Sequence, residues 1–265
     1  MSLNIIVVAR EVWDTRDLPT SPADAGGTLK TSGLATRYEP EDLNALEIAL
    51  RLKEQQGGKV TVLSHGPAGN VDAPREALYR GADEAIRIEV PRESVDTQAA
   101  ARLYAAALKK IAAFDLILLG VNIAEGESSL LGAHVAALLD LEQVSYVDGV
   151  EQVAGGAVTA KRAIEMGYEY IEAPLPALLT VGVALVADDP RTPRSAKAML
   201  KLKHKKTAIA SWTPADLGLG DPASLCATRI AGYAPVAERQ VNTVDVDPES
   251  ESALKSMLDA ARKGN

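Results

Sequence analysis

The stretch "LILLGVNIAEGESSLLG", residues 116–132, starts as a strand and ends as a helix. Leu116 to Leu119 are apolar without alternation, the mark of a parallel strand buried on both faces. The turn that follows carries two acids, two glycines and a pair of serines, and the apolar run "SSLLGAHVAALLDL" (128–141) restarts as a helix. The first 140 residues repeat this unit. "NIIVVA" (4–9), "KVTVLS" (59–64) and "EAIRIEV" (84–90) read as strands. "EPEDLNALEIALRLKEQQGG" (39–58) reads as a helix, with Pro40 in its first turn, Glu41 and Asp42 at the positive end of the dipole, and Leu43, Leu46 and Leu50 as its apolar stripe. "DAPREALYRGA" (72–82) and "SVDTQAAARLYAAALKKIAA" (94–113) are further helices, the second capped by Ser94 or Asp96.

Strands alternating with helices predict a doubly wound parallel sheet, an α/β fold with helices on both faces. Such sheets hold ligands beyond the carboxyl ends of their strands, where strand order reverses. Three strand ends carry small or polar residues: Val8-Ala9-Arg10, Ser64-His65-Gly66-Pro67, and Gly120 to Ser129. The excursion from Arg10 to Tyr38 is too long for an ordinary connection and predicts a hairpin or a functional loop. From residue 143 to 185 the rhythm becomes strand-like with glycine turns, which predicts antiparallel strands extending the sheet. A helix restarts within 189–206 behind a Pro-rich loop. The expected division is a nucleotide-binding α/β domain over 1–200 and a C-terminal arm over 201–265 that ends in an amphipathic helix and docks on a partner.

Thirty-six acidic against 28 basic residues give a formal charge of −8, which argues against a nucleic-acid surface. The short basic run "KLKHKK" (201–206) reads as a solvated helix end. Cys226 is the single cysteine, so there is no disulfide framework and no cysteine-based metal site, as in a reducing compartment. His65, His134 and His204 share no ligand spacing, and no metal is expected. "MSLN" leads into a strand without signal or transit character, and no apolar run reaches the ~18 residues of a membrane span. The expectation is a soluble, cytoplasmic protein.

No catalytic constellation is present: no G-x-S-x-G elbow, no Walker loop and no G-x-G-x-x-G after a strand. Two readings fit the turn at 120–132. It is an ordinary strand-to-helix connection with a capping serine, or backbone amides, Ser128, Ser129, Gly126 and Gly132 form a phosphate-friendly cradle. Glu125 and Glu127 oppose an anion unless they meet ribose hydroxyls or point outward. Pro40-Glu41-Asp42 reads equally well as a plain helix start. His65 reads as a polar rim residue, and Arg10 as a surface cation or a phosphate neutraliser.

Taken together, these positions resemble the beta subunit of electron transfer flavoproteins over nearly the whole chain. The collinear stretches are "VVAREVWDT" at the start, "EPEDLNALEIALRLKE" (39–54), "VTVLSHGPAG" (60–69), "REALYRGADEAIRI" (75–88), "FDLILLGVNIAEGESSLLGAHVAALL" (114–139), "YEYIEAPLPALLTV" (168–181), "DPR" (189–191) and "WTPADLGL" (212–219). The resemblance implies a Rossmann-like domain of the adenine nucleotide alpha-hydrolase-like superfamily, with a C-terminal arm reaching onto an alpha subunit. The implied heterodimer carries redox FAD, held mostly by the alpha subunit. It passes electrons between a flavin-dependent dehydrogenase or quinone oxidoreductase and its other redox partners. The beta subunit buries AMP in the common form, or a second FAD in the electron-bifurcating form. It is an electron carrier subunit and not an enzyme with bond chemistry of its own.

The family's nucleotide site falls on Val8 and Ala9 after the first strand, then on Glu39, Pro40, Glu41 and Asp42, and on His65 and Gly66. Its long loop and helix start run through Gly120, Val121, Asn122 and Ile123, then Glu125, Gly126, Glu127 and Ser128, to Ser129, Leu130 and Leu131. The chain departs from the AMP-binding form where Ser129-Leu130-Leu131 replaces Asn-Gln-Thr and Glu39 replaces Asn. "PEDLNALE" and "EGESSLLG" look more like the FAD-binding and nitrogen-fixation-associated forms. After "DPR", Thr192-Pro193-Arg194-Ser195 stands where the family has a Tyr and a protruding Leu, so dehydrogenase docking is expected elsewhere or through Arg191, Arg194 and Ser195. The alternative is a stand-alone ATP- or AMP-binding regulator of the universal-stress type, but its longer glycine-rich phosphate loop is missing. An ATP-pyrophosphatase would need S-G-G-x-D-S after strand one, and "VVAREVWDT" does not supply it.

Overall fold

The computed structural model describes residues 2–14, 24, 26–28, 30–31, 34–91, 94–123, 129–182, 194–234 and 250–263. Strand β1 (Leu3–Val8) shows why the sheet is central. Its Ile5 and Val7 join one apolar cluster and its Ile6 and Val8 the other, one on each face. Strands β4 (Gly58–Gly66), β5 (Glu84–Glu89) and β6 (Leu116–Gly120) run parallel beside it. Helices α1 (Pro40–Gln56) and α2 (Asp72–Arg80) cover the first face; α3 (Thr97–Ile111) and α4 (Leu131–Leu139) cover the second. Burial on both faces accounts for the continuous apolar runs. Two short strands, β2 (Glu11–Trp13) and β3 (Thr36–Tyr38), pair antiparallel at the ends of the long excursion after β1.

The antiparallel expectation holds for β7 (Glu142–Ala154), β8 (Ala157–Ile164) and β9 (Gly167–Pro174). It fails for β10 (Ala177–Val181), which returns to the core and lies parallel between β6 and β7. All five residues of β10 are buried, so "ALLTV" carries the same two-faced apolar signal as β1. Helix α5 (Ala198–His204) and strand β11 (Ala210–Trp212) follow, and β11 extends the sheet parallel to β5 at its far edge. The described strands are ordered β11-β5-β4-β1-β6-β10-β7-β8-β9. Strand order therefore reverses between β1 and β6, the place where a doubly wound sheet opens a crevice.

Met1–Pro22 and Lys30–Ala231 form one compact unit; Ala23–Leu29 and Gly232–Asn265 form another. In the second unit the Tyr233 amide donates to the Gly27 carbonyl at 2.8 Å, and helix α6 (Glu251–Lys263) carries Leu254, Met257 and Leu258 exposed along one stripe. No described helix is long and apolar enough to cross a membrane.

Of the two caps expected for α3, Asp96 is the one used: its Oδ1 accepts the Ala99 amide at 2.8 Å. Its Oδ2 accepts the amides of Ala227 and Thr228, each at 2.7 Å, and the Thr228 hydroxyl at 3.0 Å. Partial burial pushes this carboxyl up, but those donors outweigh it and hold the pKa below the ordinary value. A depressed folded-state pKa gives stability that is complete above the unfolded value, about 3.9, and is lost as pH falls through the folded one. Asp96→Ala should therefore cost about 1 kcal/mol at neutral pH. The gap from wild type should close below about pH 4 in urea titrations across pH.

Candidate functional site

The carboxyl ends of β1 and β6 are built around one buried ion pair. Asp42, in the first turn of α1, is fully buried and receives Arg10 side-on: Nε to Oδ2 at 2.9 Å and Nη2 to Oδ1 at 2.8 Å. Its carboxylate also takes the Arg10 amide at 2.6 Å and the Gly120 amide at 2.6 Å. Arg10 in turn donates from Nη2 to the carbonyls of Gly120 and Asn122, at 3.0 and 2.6 Å. Burial lowers the Arg10 pKa, but the Asp42 carboxylate more than offsets it and the net shift is upward. Glu41 completes the frame, accepting the Asn122 amide at 2.6 Å and its side-chain amide at 3.2 Å. The acidic helix start thus does more than complement a dipole: it fixes the ends of β1 and β6 and the first residues of the loop beyond β6.

Gly120 is required by this packing. A Cβ there would stand 2.5 Å from Glu41 Cβ, 2.8 Å from Asp42 Oδ1 and 2.9 Å from Arg10 Nη2. Gly132 is equally closed, with Thr180 Cγ2 at 2.4 Å from an added Cβ, so α4 starts hard against β10. The α4 N-cap is Leu130, with no side-chain cap hydrogen bond. The capping-serine reading is corrected accordingly: Ser129 lies one residue ahead and does not cap. The first amides of α4 therefore have no partner within the helix itself. Leu130 is exposed and Leu131 is buried in the core.

Val8, Ala9, Glu39, Pro40, Glu41, Asp42, Gly120 and Val121 are brought together where β1, β6 and α1 meet, all buried except Pro40. His65 and Gly66 end β4. His65 Nδ1 lies 2.7 Å from the Tyr104 hydroxyl of α3. Asn122 and Ile123 open the loop; Glu125, Gly126, Glu127 and Ser128 lie outside the described residues, as does Arg191. Arg194 is half-buried and held within the chain. Its guanidinium reaches Glu47 at 2.9 and 3.0 Å and Glu54 at 2.5 and 3.2 Å, both on α1. Burial pushes Glu47 up, but the bonds from Arg194 and Arg51 hold it below the ordinary carboxylate value. Arg194→Ala should lower stability by about 2 kcal/mol in chemical denaturation, because Glu47 is left buried with less support. Ser195 beside it is exposed.

Sequence reasoning missed a second buried pair, Arg87 Nη1 to Glu11 Oε2 at 2.7 Å, both side chains 1 % exposed. Glu11 also accepts from Thr36 at 2.5 Å and Asn70 at 3.1 Å. It thereby ties β2, β3, β5 and the loop after β4 into one frame. The available signal was Arg87 itself, a lone cation inside the apolar strand "EAIRIEV". A cavity of about 340 Å³ lies at the opposite end of the sheet, lined by Asn4, Lys59, Glu84, Lys110 and Trp212. Lys59 is paired there with Glu84, and Lys110 stacks over Trp212.

The family model described as electron transfer flavoprotein domain matches residues 26–217. The chain belongs to the electron transfer flavoprotein family. It is 38% identical over 205 residues to the electron transfer flavoprotein subunit beta of Thermoanaerobacterium thermosaccharolyticum, covering 77% of this chain and 76% of the relative. It is 33% identical over 223 residues to the caffeyl-CoA reductase-Etf complex subunit CarD of Acetobacterium woodii, covering 83% and 82%. It is also 32% identical over 226 residues to protein FixA of Azorhizobium caulinodans, covering 83% and 78%. The similarity is thus to beta-type subunits of electron transfer flavoproteins, which act as electron carriers.

Proposed function

We propose that the chain is the beta subunit of a soluble, cytoplasmic, heterodimeric electron transfer flavoprotein, and that the crevice between β1 and β6 holds an adenine nucleotide, AMP or a second FAD. The observation that carries this reading is the frame at Gly120. A side-chain-free strand end is locked by Arg10, Glu41 and Asp42 at the point where strand order reverses, and the helix that follows it, α4, starts without a side-chain cap. The residues present fit such a ligand with one restriction. The amides of Gly120 and Asn122 are already used by Asp42 and Glu41, so a phosphate would be held by the first amides of α4 and the Ser129 hydroxyl, while Val8 and Ala9 wall the adenosine. Leu130, exposed at the start of α4, offers apolar surface in place of a hydrogen bond, which favours a ligand with apolar surface to cover, such as a flavin dinucleotide.

FAD supplies the electron transfer when bound; the residues of this chain bind it, orient it and exclude water. The alpha subunit is the partner for α6, whose Leu254, Met257 and Leu258 form an exposed apolar stripe at helical spacing. A dehydrogenase would dock around Arg191 and Ser195, where Arg194 anchors the chain to α1. The reading is tested by co-expressing the chain with an alpha subunit, denaturing the purified complex, and quantifying FAD and AMP. Two FAD per heterodimer, or one FAD and one AMP, supports the filled crevice and tells the two forms apart. One FAD alone removes the nucleotide from this subunit. Met257→Asp in α6 should weaken assembly at least tenfold in a concentration series.

A further inference from the structure

Strand β7 carries one residue more than its neighbour needs. Leu179 of β10 pairs with Val144 and Val181 pairs with Val147, so Ser145 and Tyr146 together oppose Thr180. In unbroken alternation Tyr146 would follow Val144 into the core on the α1 face. The bulge delivers Val147 there instead, 0 % exposed, and leaves Tyr146 51 % exposed. Strain falls on the Tyr146 backbone, which is left-handed at φ 57°. That conformation is free to glycine but unfavourable for a bulky residue with a Cβ. Thr180 holds it there, its buried hydroxyl accepting the Tyr146 amide at 3.3 Å. Bulges re-aim side chains, and residues held left-handed cluster at ligand sites. A glycine would make the same turn without strain, so what the strain keeps is the ring.

The ring sits at the ligand end of the sheet. Gly120, Val181 and Val147 are level across β6, β10 and β7. A Cβ built on Gly182, the residue after β10, would stand 3.9 Å from Tyr146 Cδ1. The ring therefore lies beside the carboxyl end of β10. The first turn of α4 rests on the same strand, with a Cβ built on Gly132 only 2.4 Å from Thr180 Cγ2. Neighbouring strands are about 4.8 Å apart, so Tyr146 stands roughly 14 Å from the end of β1, three strands away. A mononucleotide with its base at Val8 and Ala9 and its phosphate at α4 ends there; a dinucleotide goes on. We propose that Tyr146 is a specificity-determining residue whose ring stacks on the second, aromatic half of a dinucleotide, the isoalloxazine of FAD. This role rests on the nucleotide reading above and deepens it. Val8, Ala9 and the start of α4 hold what AMP and FAD share, and Tyr146 holds what FAD alone has.

Equilibrium dialysis of the full chain against FAD and against AMP compares wild type, Tyr146→Gly and Tyr146→Phe. Tyr146→Gly removes the ring and suits the left-handed backbone, so its urea midpoint should be no lower than that of wild type. A lower midpoint would make the ring part of the fold and overturn the proposal. FAD should bind about tenfold more weakly to Tyr146→Gly, and within about threefold of wild type to Tyr146→Phe, which keeps a stacking ring. AMP should bind all three proteins alike. The emission of bound FAD, quenched by a stacked tyrosine, should rise in Tyr146→Gly. Equal FAD affinity in wild type and Tyr146→Gly overturns the proposal; so does an equal loss of AMP and FAD, which would make Tyr146 a prop of the shared site. Wild type that binds AMP but not FAD overturns the role of Tyr146 and leaves the nucleotide reading standing. If wild type binds neither, the reading fails and the role of Tyr146 fails with it.

Discussion

Asp42→Ala should lower unfolding stability by about 3–5 kcal/mol, because it leaves the Arg10 guanidinium buried without its counter-charge. The penalty is this large because the carboxylate is fully buried and accepts four donors: two from the Arg10 side chain and the amides of Arg10 and Gly120. Two backbone groups and one cation lose their partner in a single step. Urea or guanidinium titration of purified variants measures the loss. The same change should release the end of β6 and with it any bound nucleotide. A double variant, Arg10→Leu with Asp42→Leu, separates charge from geometry. It should recover most of the stability, since a buried pair replaced by apolar groups of similar size is often neutral. It should not recover nucleotide binding, because nothing then fixes Gly120 and Asn122.

Glu11→Ala is the second large effect, again about 3–5 kcal/mol, and for the same reason at Arg87. The contrast lies in what fails. Glu11 joins Arg87 of β5 to Thr36 of β3 and to Asn70 after β4. Its loss should free the β2–β3 pair from the sheet while leaving the Arg10–Asp42 frame in place. Hydrogen exchange should then rise at 11–13 and 36–38 and stay low at 117–121. Equal exchange at both sites would show that the two buried pairs form a single cooperative unit.

The parallel core was legible because burial on both faces leaves a simple signal, runs such as "NIIVVA" and "LILLG" without alternation. The same signal was present in "ALLTV", yet the glycine turns on either side of β8 and the alternating strands before it masked a return to parallel pairing. Strand β11 has no such signal. It is three residues long, mostly exposed, and made by pairing with β5, so only tertiary context creates it. At the site, the strand ends and the helix start at Pro40 were legible from turn chemistry. The pairing of Arg10 with Asp42, 32 residues away, was not, since nothing local distinguishes a buried Arg from a solvated one. Arg194 is the same case: its docking to Glu47 and Glu54 depends on how α1 lies against the segment before α5, not on its neighbours in sequence.

The proposed adenine-nucleotide site lies at the carboxyl ends of β1 and β6. Hydrogen–deuterium exchange of the purified chain, with and without AMP or FAD, tests it most directly. A nucleotide bound there should give protection confined to 8–10, 39–42, 118–122 and 129–133. Protection instead around Lys59, Lys110 and Trp212, at the opposite end of the sheet, or no change with either nucleotide, would contradict it.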